Sequence, residues 1–279
     1  MIDIIIPVYN KEHCVKRCLN SVLTQTFQDW HCFIVNDGSP DNSEAEILPF
    51  LTDRRFEYIK KKNGGVSSAR NTGLRESRSE WVMFLDADDY LLPHCLGSLI
   101  SSAQIYDTSF VAGNFYLENK GQRIVFLKEA SNGIVKNPIK DHYLNKICPR
   151  CGAYIYKRNV MSTLFFDENL SRYEDVAVLF SLLNNCTVSA VPEPVMVYTE
   201  DFNYLSKQMS NIERDFVYYI DVTGKCFWER LFLYRFMKEA WMTYPSKRKE
   251  LWSKYKKYMP QVLLYNVYGK LLKIIYKKC

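Results

Sequence analysis

Asp86, Asp88 and Asp89 fall in the stretch Phe84-Leu85-Asp86-Ala87-Asp88-Asp89-Tyr90, where carboxylates follow an apolar run at spacings i, i+2 and i+3. Strand alternation would turn the Asp86 and Asp88 side chains toward one side. Two such carboxylates suit a Mn²⁺ or Mg²⁺ ion that also takes phosphate oxygens and neutralises the charge that builds as a phosphate leaves. The same residues also suit a solvated turn ahead of the helix after Pro93, and the stretch alone leaves both readings open.

Two further stretches carry chemistry of the same kind. Asp37-Gly38-Ser39 is a turn former first, yet an acidic residue at a strand end of a nucleotide-binding sheet accepts hydrogen bonds from a base N–H or a ribose hydroxyl. In Asn63-Gly64-Gly65-Val66-Ser67-Ser68-Ala69-Arg70-Asn71, a backbone able to approach a ligand closely leads into a helix start bearing Arg70. Helix amino ends and guanidinium groups both suit anions, although a plain glycine turn beside an exposed arginine has the same sequence.

These residues need elements to hold them. Residues 2–8, 30–36, 56–60 and 81–85 are short β-branched or aromatic runs, and helical patterns occupy 14–23, 44–51 and 67–76, with Ser43 as a helix cap. Alternating strands and helices imply right-handed crossovers and a mainly parallel sheet. In such sheets ligands bind beyond the carboxyl ends of the strands, where Tyr9, Asp37 and Asp86 all fall. After Pro93 the pattern loosens: a helix to about 105, strands at 110–115, 124–127, 152–156 and 195–198, and a helix at 174–183 with Val176, Leu179, Phe180 and Leu183 on one face. From about 211 onward the chain is helical and rich in Trp and Tyr. The expected organisation is one α/β domain over 1–210, in two halves at 1–92 and 93–210, followed by a helical, basic extension over 211–279.

Composition sets the limits. With 279 residues, 47% of them hydrophobic and 24% charged, the chain is neither disordered nor fibrous. No run of apolar residues is long enough to span a membrane, and residues 1–7 lack the features of a signal peptide, so a cytoplasmic location is expected. Nine cysteines, odd in number and scattered, suit reduced thiols. Cys148-Pro149-Arg150-Cys151 with His142 upstream is half of a zinc knuckle, and two ordinary thiols are the favoured reading. The formal charge of +6 concentrates at the carboxyl end, where Lys247, Arg248, Lys249, Lys254, Lys256, Lys257, Lys270, Lys273, Lys277 and Lys278 face only Glu250. Interleaved Leu, Ile, Tyr and Trp point that end toward an anionic membrane surface rather than nucleic acid, or toward ordinary packing on the domain.

Taken together and in order, Ile4-Ile5-Ile6-Pro7-Val8-Tyr9-Asn10, Asn36-Asp37-Gly38-Ser39, Gly64-Gly65 through Ala69-Arg70-Asn71, and Leu85-Asp86-Ala87-Asp88-Asp89 closely resemble the family 2 glycosyltransferases of the GT-A fold. The resemblance extends to about residue 198. It implies an α/β fold with a Rossmann-like nucleotide-binding half. It also implies that Pro7, Tyr9 and Asp37 border the nucleobase, with Asp37 bonding it directly, and that Arg70 helps hold the nucleotide. Asp86 would face ribose and metal, and Asp88 would be the direct ligand of the cation on the donor diphosphate. Farther on, Tyr173-Glu174-Asp175-Val176-Ala177 resembles the family's Glu-Asp element, which assigns Asp175 as general base; a capping aspartate at a helix start has the same local sequence.

The resemblance departs at 198–208, Tyr-Thr-Glu-Asp-Phe-Asn-Tyr-Leu-Ser-Lys-Gln, where relatives often carry an Arg or His; Lys207 is the cation available there. The implied reaction is inverting transfer of a sugar from a nucleotide-sugar donor, UDP-linked, to the hydroxyl of a glycan or lipid-linked glycan. A nucleotidyltransferase also uses strand-end carboxylates, and a non-catalytic nucleotide- or nucleic-acid-binding protein would use the basic end; metal-dependent hydrolysis of nucleotide sugars separates these from a transferase.

Overall fold

The computed structural model describes residues 1–161, 165–199, 211–265 and 267. The sheet grows from β1 (Ile2–Val8), whose seven residues are all buried, as a β-branched run covered on both faces must be. Beside it lie β2 (Trp30–Asn36) and β4 (Trp81–Phe84), both parallel to it, and β3 (Phe56–Lys60) pairs parallel to β2. The connecting helices are α1 (Val15–Leu23), α2 (Ser43–Ile47) and α3 (Val66–Glu76). Helix α3 lies close against the sheet because it carries Gly73 where it crosses β1: a Cβ there would come within 2.5 Å of Ile5 Cγ2. Pairing between β4 and β1 stops at Ile5↔Phe84, two residues short of Pro7, so a proline without an N–H is tolerated in this inner strand.

The second half is mixed. It comprises β5 (Tyr90–Leu91), α4 (Cys95–Tyr106), β6 (Phe110–Asn119), β7 (Gln122–Val125), β8 (Gly133–Val135), α5 (Pro138–Tyr143), β9 (Tyr154–Lys157), α6 (Glu174–Asn185) and β10 (Val188–Thr199). The sheet order is β3-β2-β1-β4-β9-β6-β10-β5, with β7 on β6 and β8 on β10. Parallel pairing therefore holds through β4 and returns only between β6 and β10, while β9 runs antiparallel to both of its neighbours.

Several local expectations are corrected. Ser43 is the first residue of α2 rather than its cap; its hydroxyl accepts from the Lys11 N–H at 2.9 Å and donates to Asp41. The fourth strand ends at Phe84, so Asp86 and Asp88 sit on a turn, closed by the Asp89 N–H on the Asp86 carbonyl at 3.0 Å, and strand alternation does not govern them. The buried face of α6 is Val178, Leu179, Leu182 and Leu183, with Val176 and Phe180 only partly covered. His142 packs its ring 4.9 Å from that of Phe232, and no group of three or more metal-ligating side chains occurs among the described residues. The eight described cysteines are free thiols.

After β10 come α7 (Phe227–Thr243), α8 (Arg248–Tyr255) and α9 (Met259–Leu263). Leu231, Phe236, Tyr244, Leu251, Tyr255, Met259 and Val262 join the buried cluster that also holds α6 and β9 residues. At least to Val262, then, the basic carboxyl end packs on the domain. No helix among the described residues is long and apolar enough to cross a membrane. Lys207 and Lys270, Lys273, Lys277 and Lys278 lie outside the described residues.

Candidate active site

The carboxyl ends of β1, β2 and β4 open into one crevice, and each contributes its first residues beyond the ladder. Pro7 is buried within β1, whereas Tyr9, past the strand end, is 44% exposed. Asp37 follows β2 directly and is 2% exposed. Its Oδ1 accepts from Lys61 Nζ at 2.6 Å and Gly64 N–H at 3.0 Å, and its Oδ2 from Gly65 N–H at 2.7 Å. Gly65 has φ of 89° and is the residue from which α3 starts. Asp37 thus holds the glycine loop and sets where α3 begins.

Arg70, one turn into α3, is 4% exposed. Its Nη2 donates to Asp86 Oδ1 at 2.8 Å, its Nη1 donates to Glu174 Oε1 at 3.1 Å, and its guanidinium lies 5.1 Å from the Phe166 ring centre. Arg70 thus ties the two acidic motifs together. Burial, and then the charge of Asp175, raise the Glu174 carboxyl above its usual range against the pull of Arg70.

The Asp86–Asp89 turn is held from three sides. Lys11 Nζ meets Asp88 Oδ2 at 2.9 Å. Arg17 Nη2 donates to the Asp88 carbonyl at 2.7 Å and to Thr199 Oγ1 at 3.0 Å, with its guanidinium 4.5 Å from the Tyr90 ring centre. Asp89, 2% exposed, accepts the Thr199 N–H at 2.9 Å. A divalent cation fits here in one mode: Mg²⁺ and Mn²⁺ at such sites use one or two carboxylates plus substrate phosphates, and Asp86 and Asp88 each keep one oxygen outside the contacts with Arg70 and Lys11. The lysine beside Asp88 already marks a demand for positive charge.

Asp175 opens α6. It is exposed, and its Oδ1 accepts only the neighbouring Val176 N–H, at 2.9 Å, among the described contacts. Tyr173 ahead of it takes φ of 60°, a left-handed conformation that a bulky residue adopts at a cost of about 1–3 kcal/mol. Its hydroxyl is fixed by Arg172 Nη2 at 2.9 Å and by Glu239. Asn71 clamps the approach to this motif, donating to the Phe166 carbonyl and Glu168 Oε1 and accepting the Phe166 N–H, all at 2.9 Å. The Cys148–Cys151 loop reaches the same place: the Gly152 N–H donates to the Phe84 carbonyl at 2.5 Å, and Arg150 stacks 4.0 Å from the Tyr198 ring centre.

Of the residues singled out in sequence, Asp86, Arg70 and the Glu174-Asp175 pair are brought together, and Asp88 adjoins them on its turn. Asp37 and Tyr9 follow the ends of β2 and β1, with the Asp37 oxygens held by Lys61 Nζ and the Gly64 and Gly65 N–H groups. Sequence reasoning missed Lys11, Arg17, Asn71, Arg150 and Thr199 as parts of the site. Asn71 lies inside a quoted motif, which was signal enough. Arg17 and Thr199 are scattered polar residues whose meaning comes only from tertiary contact.

The fold and this crevice define a mixed α/β architecture with acidic motifs gathered beyond the strand ends. The family described as Glycosyl transferase family 2 matches residues 3–164, and the chain belongs to that family. It is 29% identical over 217 residues to glycosyltransferase EpsJ of Bacillus subtilis (strain 168), an alignment covering 74% of this chain and 63% of EpsJ. It is also 29% identical over 196 residues to the UDP-Glc:alpha-D-GlcNAc-diphosphoundecaprenol beta-1,3-glucosyltransferase WfgD of Escherichia coli, covering 68% of this chain and 73% of that protein. Among solved structures, residues 1–349 of S. aureus TarS in complex with UDP-GlcNAc superpose with a TM-score of 0.70 at 17% identity, over 86% of this chain and 72% of that one. The GT-A fold follows from this likeness.

Proposed function

We propose that this chain transfers a sugar from a UDP-linked donor to an acceptor hydroxyl with inversion at the anomeric carbon, in polysaccharide or cell-surface glycan synthesis. One observation carries the reading: Arg70 joins Asp86 of the donor turn to Glu174 beside an exposed Asp175, which sets a free carboxylate next to the donor-binding group. The UDP-bound and UDP-using relatives support the choice of nucleotide.

In this reading Tyr9 and Pro7 flank the base, and the Asp37 carboxylate meets it by exchanging one of its present partners. Asp88, with Asp86, would hold Mn²⁺ or Mg²⁺, which when bound supplies positive charge to the departing diphosphate. Arg70 keeps Asp86 oriented through its hydrogen bond to Oδ1. Asp175 accepts the proton of the acceptor hydroxyl as that oxygen forms its bond to the anomeric carbon and the carbon–oxygen bond to the diphosphate breaks. Attack opposite the leaving group inverts the centre. Residues 1–210 act as the catalytic domain and 211–279 as its helical extension. Trp252, Leu263, Leu264 and Val267, exposed among the lysines of that extension, support contact with an anionic membrane carrying a lipid-linked acceptor.

The test is a panel of nucleotide sugars with Mn²⁺, read first as thermal stabilisation and then as the anomeric configuration of the product by NMR. UDP-sugar stabilisation with an inverted product is expected; a retained configuration contradicts the role of Asp175, and preference for another nucleotide contradicts the donor assignment.

A further inference from the structure

Asp175 is not fixed by its own side chain: among the described contacts its Oδ1 accepts only the Val176 N–H. Its place is set by the backbone of α6, which starts at Tyr173, whose carbonyl accepts the Ala177 N–H at 3.1 Å. Tyr173 has φ of 60° and ψ of 24°. A glycine takes such a left-handed backbone freely, whereas a tyrosine stays there only where its surroundings hold it.

The groups that hold it come largely from the chain after β10. The Tyr173 ring lies 5.0 Å from that of Phe236 on α7, and the Arg172 guanidinium sits 4.4 Å from its centre. Its hydroxyl donates to Glu239 Oε2, also on α7, and accepts from Arg172 Nη2 at 2.9 Å. Both partners are themselves steadied. Arg235 Nε meets Glu239 Oε1 at 3.3 Å, and Arg172 Nη1 donates at 3.1 Å to the fully buried Asp215, which also takes the Tyr244 hydroxyl at 3.0 Å. The Phe216 N–H on the Arg172 carbonyl, at 3.1 Å, fixes the backbone just ahead of Tyr173. From the other side, Arg70 holds the same turn of α6 through Glu174 at 3.1 Å. Asp175 therefore stands between two anchors, one from α3 and one from α7. All the α7 contacts lie beyond residue 164, where the family match ends.

Resting on the sugar-transfer reading, we infer that Glu239 is a positioning residue of the reaction: through the Tyr173 hydroxyl it holds the left-handed start of α6 and so sets where the Asp175 carboxylate stands. Helix α7 thus contributes to proton transfer without touching the substrate. The Glu239 side chain is 41% exposed, so the fold tolerates its replacement.

The test uses the full chain with Mn²⁺ and the UDP-sugar that most stabilises it, with water as the acceptor. Asp175 then takes a proton from water as the water oxygen bonds to the anomeric carbon and the bond to the diphosphate breaks, which releases UDP and free sugar. Glu239→Ala and Tyr173→Phe are each expected to lower kcat for UDP release about tenfold, with UDP affinity and donor KM unchanged, since a displaced reacting group costs rate and not donor binding. Glu239→Gln keeps an acceptor oxygen for the hydroxyl and restores most of the rate. On the Asp175→Asn background, adding Glu239→Ala changes kcat less than twofold, because residues that act as one unit do not add. Melting temperatures report on the fold of each variant. Parent-like kcat in either Glu239→Ala or Tyr173→Phe overturns the inference. A further tenfold loss on the Asp175→Asn background also overturns it and leaves Glu239 a structural residue. Both of those outcomes leave the base role of Asp175 standing, whereas parent-like kcat in Asp175→Asn alone removes that role and the inference with it.

Discussion

Arg70 and Glu174 lie 104 positions apart in sequence and are joined at 3.1 Å by the same guanidinium that holds Asp86 at 2.8 Å. The Asp86–Asp89 turn and the Glu174-Asp175 pair thus share one buried cation. Arg70→Met leaves Glu174 without its counter-charge and is expected to destabilise the fold by about 3 kcal/mol, the low end for breaking a buried pair because Asp86 is partly solvated. Arg70→Lys, with one point of charge in place of a fork, recovers only part of this. Urea unfolding of both variants checks the order; parent-like midpoints would show the bridge to be dispensable.

Much of this was legible in sequence because the first strands announce themselves. The runs at 2–8, 30–36 and 56–60 match β1, β2 and β3 residue for residue, since continuous β-branched stretches have few alternatives to a buried strand. The second half was less legible. β5 has two residues and β8 three, too short for any period to register, and β9 turns antiparallel through pairings that local sequence does not encode. In the site, carboxylates identified themselves by motif, but their partners did not. Nothing near Arg70 in sequence reveals Phe166 and Glu174 closing over it.

Asp175 is exposed and hydrogen-bonded only to its neighbour's N–H among the described contacts, so Asp175→Asn should leave fold and donor affinity unchanged. Loss of a general base costs about 10²- to 10⁴-fold in turnover. Donor affinity and acceptor turnover are measured separately; equal loss in both would make Asp175 a structural residue.

Arg17 grips the Asp88 carbonyl and Thr199 from α1 without touching either aspartate carboxylate of the donor turn. Arg17→Ala is expected to raise the Mn²⁺ concentration for half-maximal activity about tenfold, in the range seen when groups supporting a metal ligand are removed. Activity restored to parent level at saturating Mn²⁺ marks a positioning role, and an unchanged Mn²⁺ requirement removes Arg17 from the site.

His142 is buried, and that burial, with Arg235 adding to it, lowers its pKa to about 3. The unfolded chain binds a proton near pH 6.5 and the folded chain does not, so between about 6.5 and 3 the unfolded state holds more protons. Stability is therefore full above that window and falls as pH drops through it, by up to about 1.4 kcal/mol per pH unit from this group. His142→Phe, an aromatic ring against Phe232, should flatten the slope of unfolding free energy between pH 7 and 5. An identical slope in variant and parent would place the acid sensitivity elsewhere.

The central claim is that Asp88 draws a divalent cation to the donor diphosphate, and Asp88→Asn removes one charge with little change in volume. The direct measurement is UDP affinity, with and without Mn²⁺, for parent and variant. The account predicts that Mn²⁺ tightens UDP binding strongly in the parent and hardly at all in the variant, with metal-free affinity and melting temperature alike in both. Equal tightening by Mn²⁺ in parent and variant would contradict it.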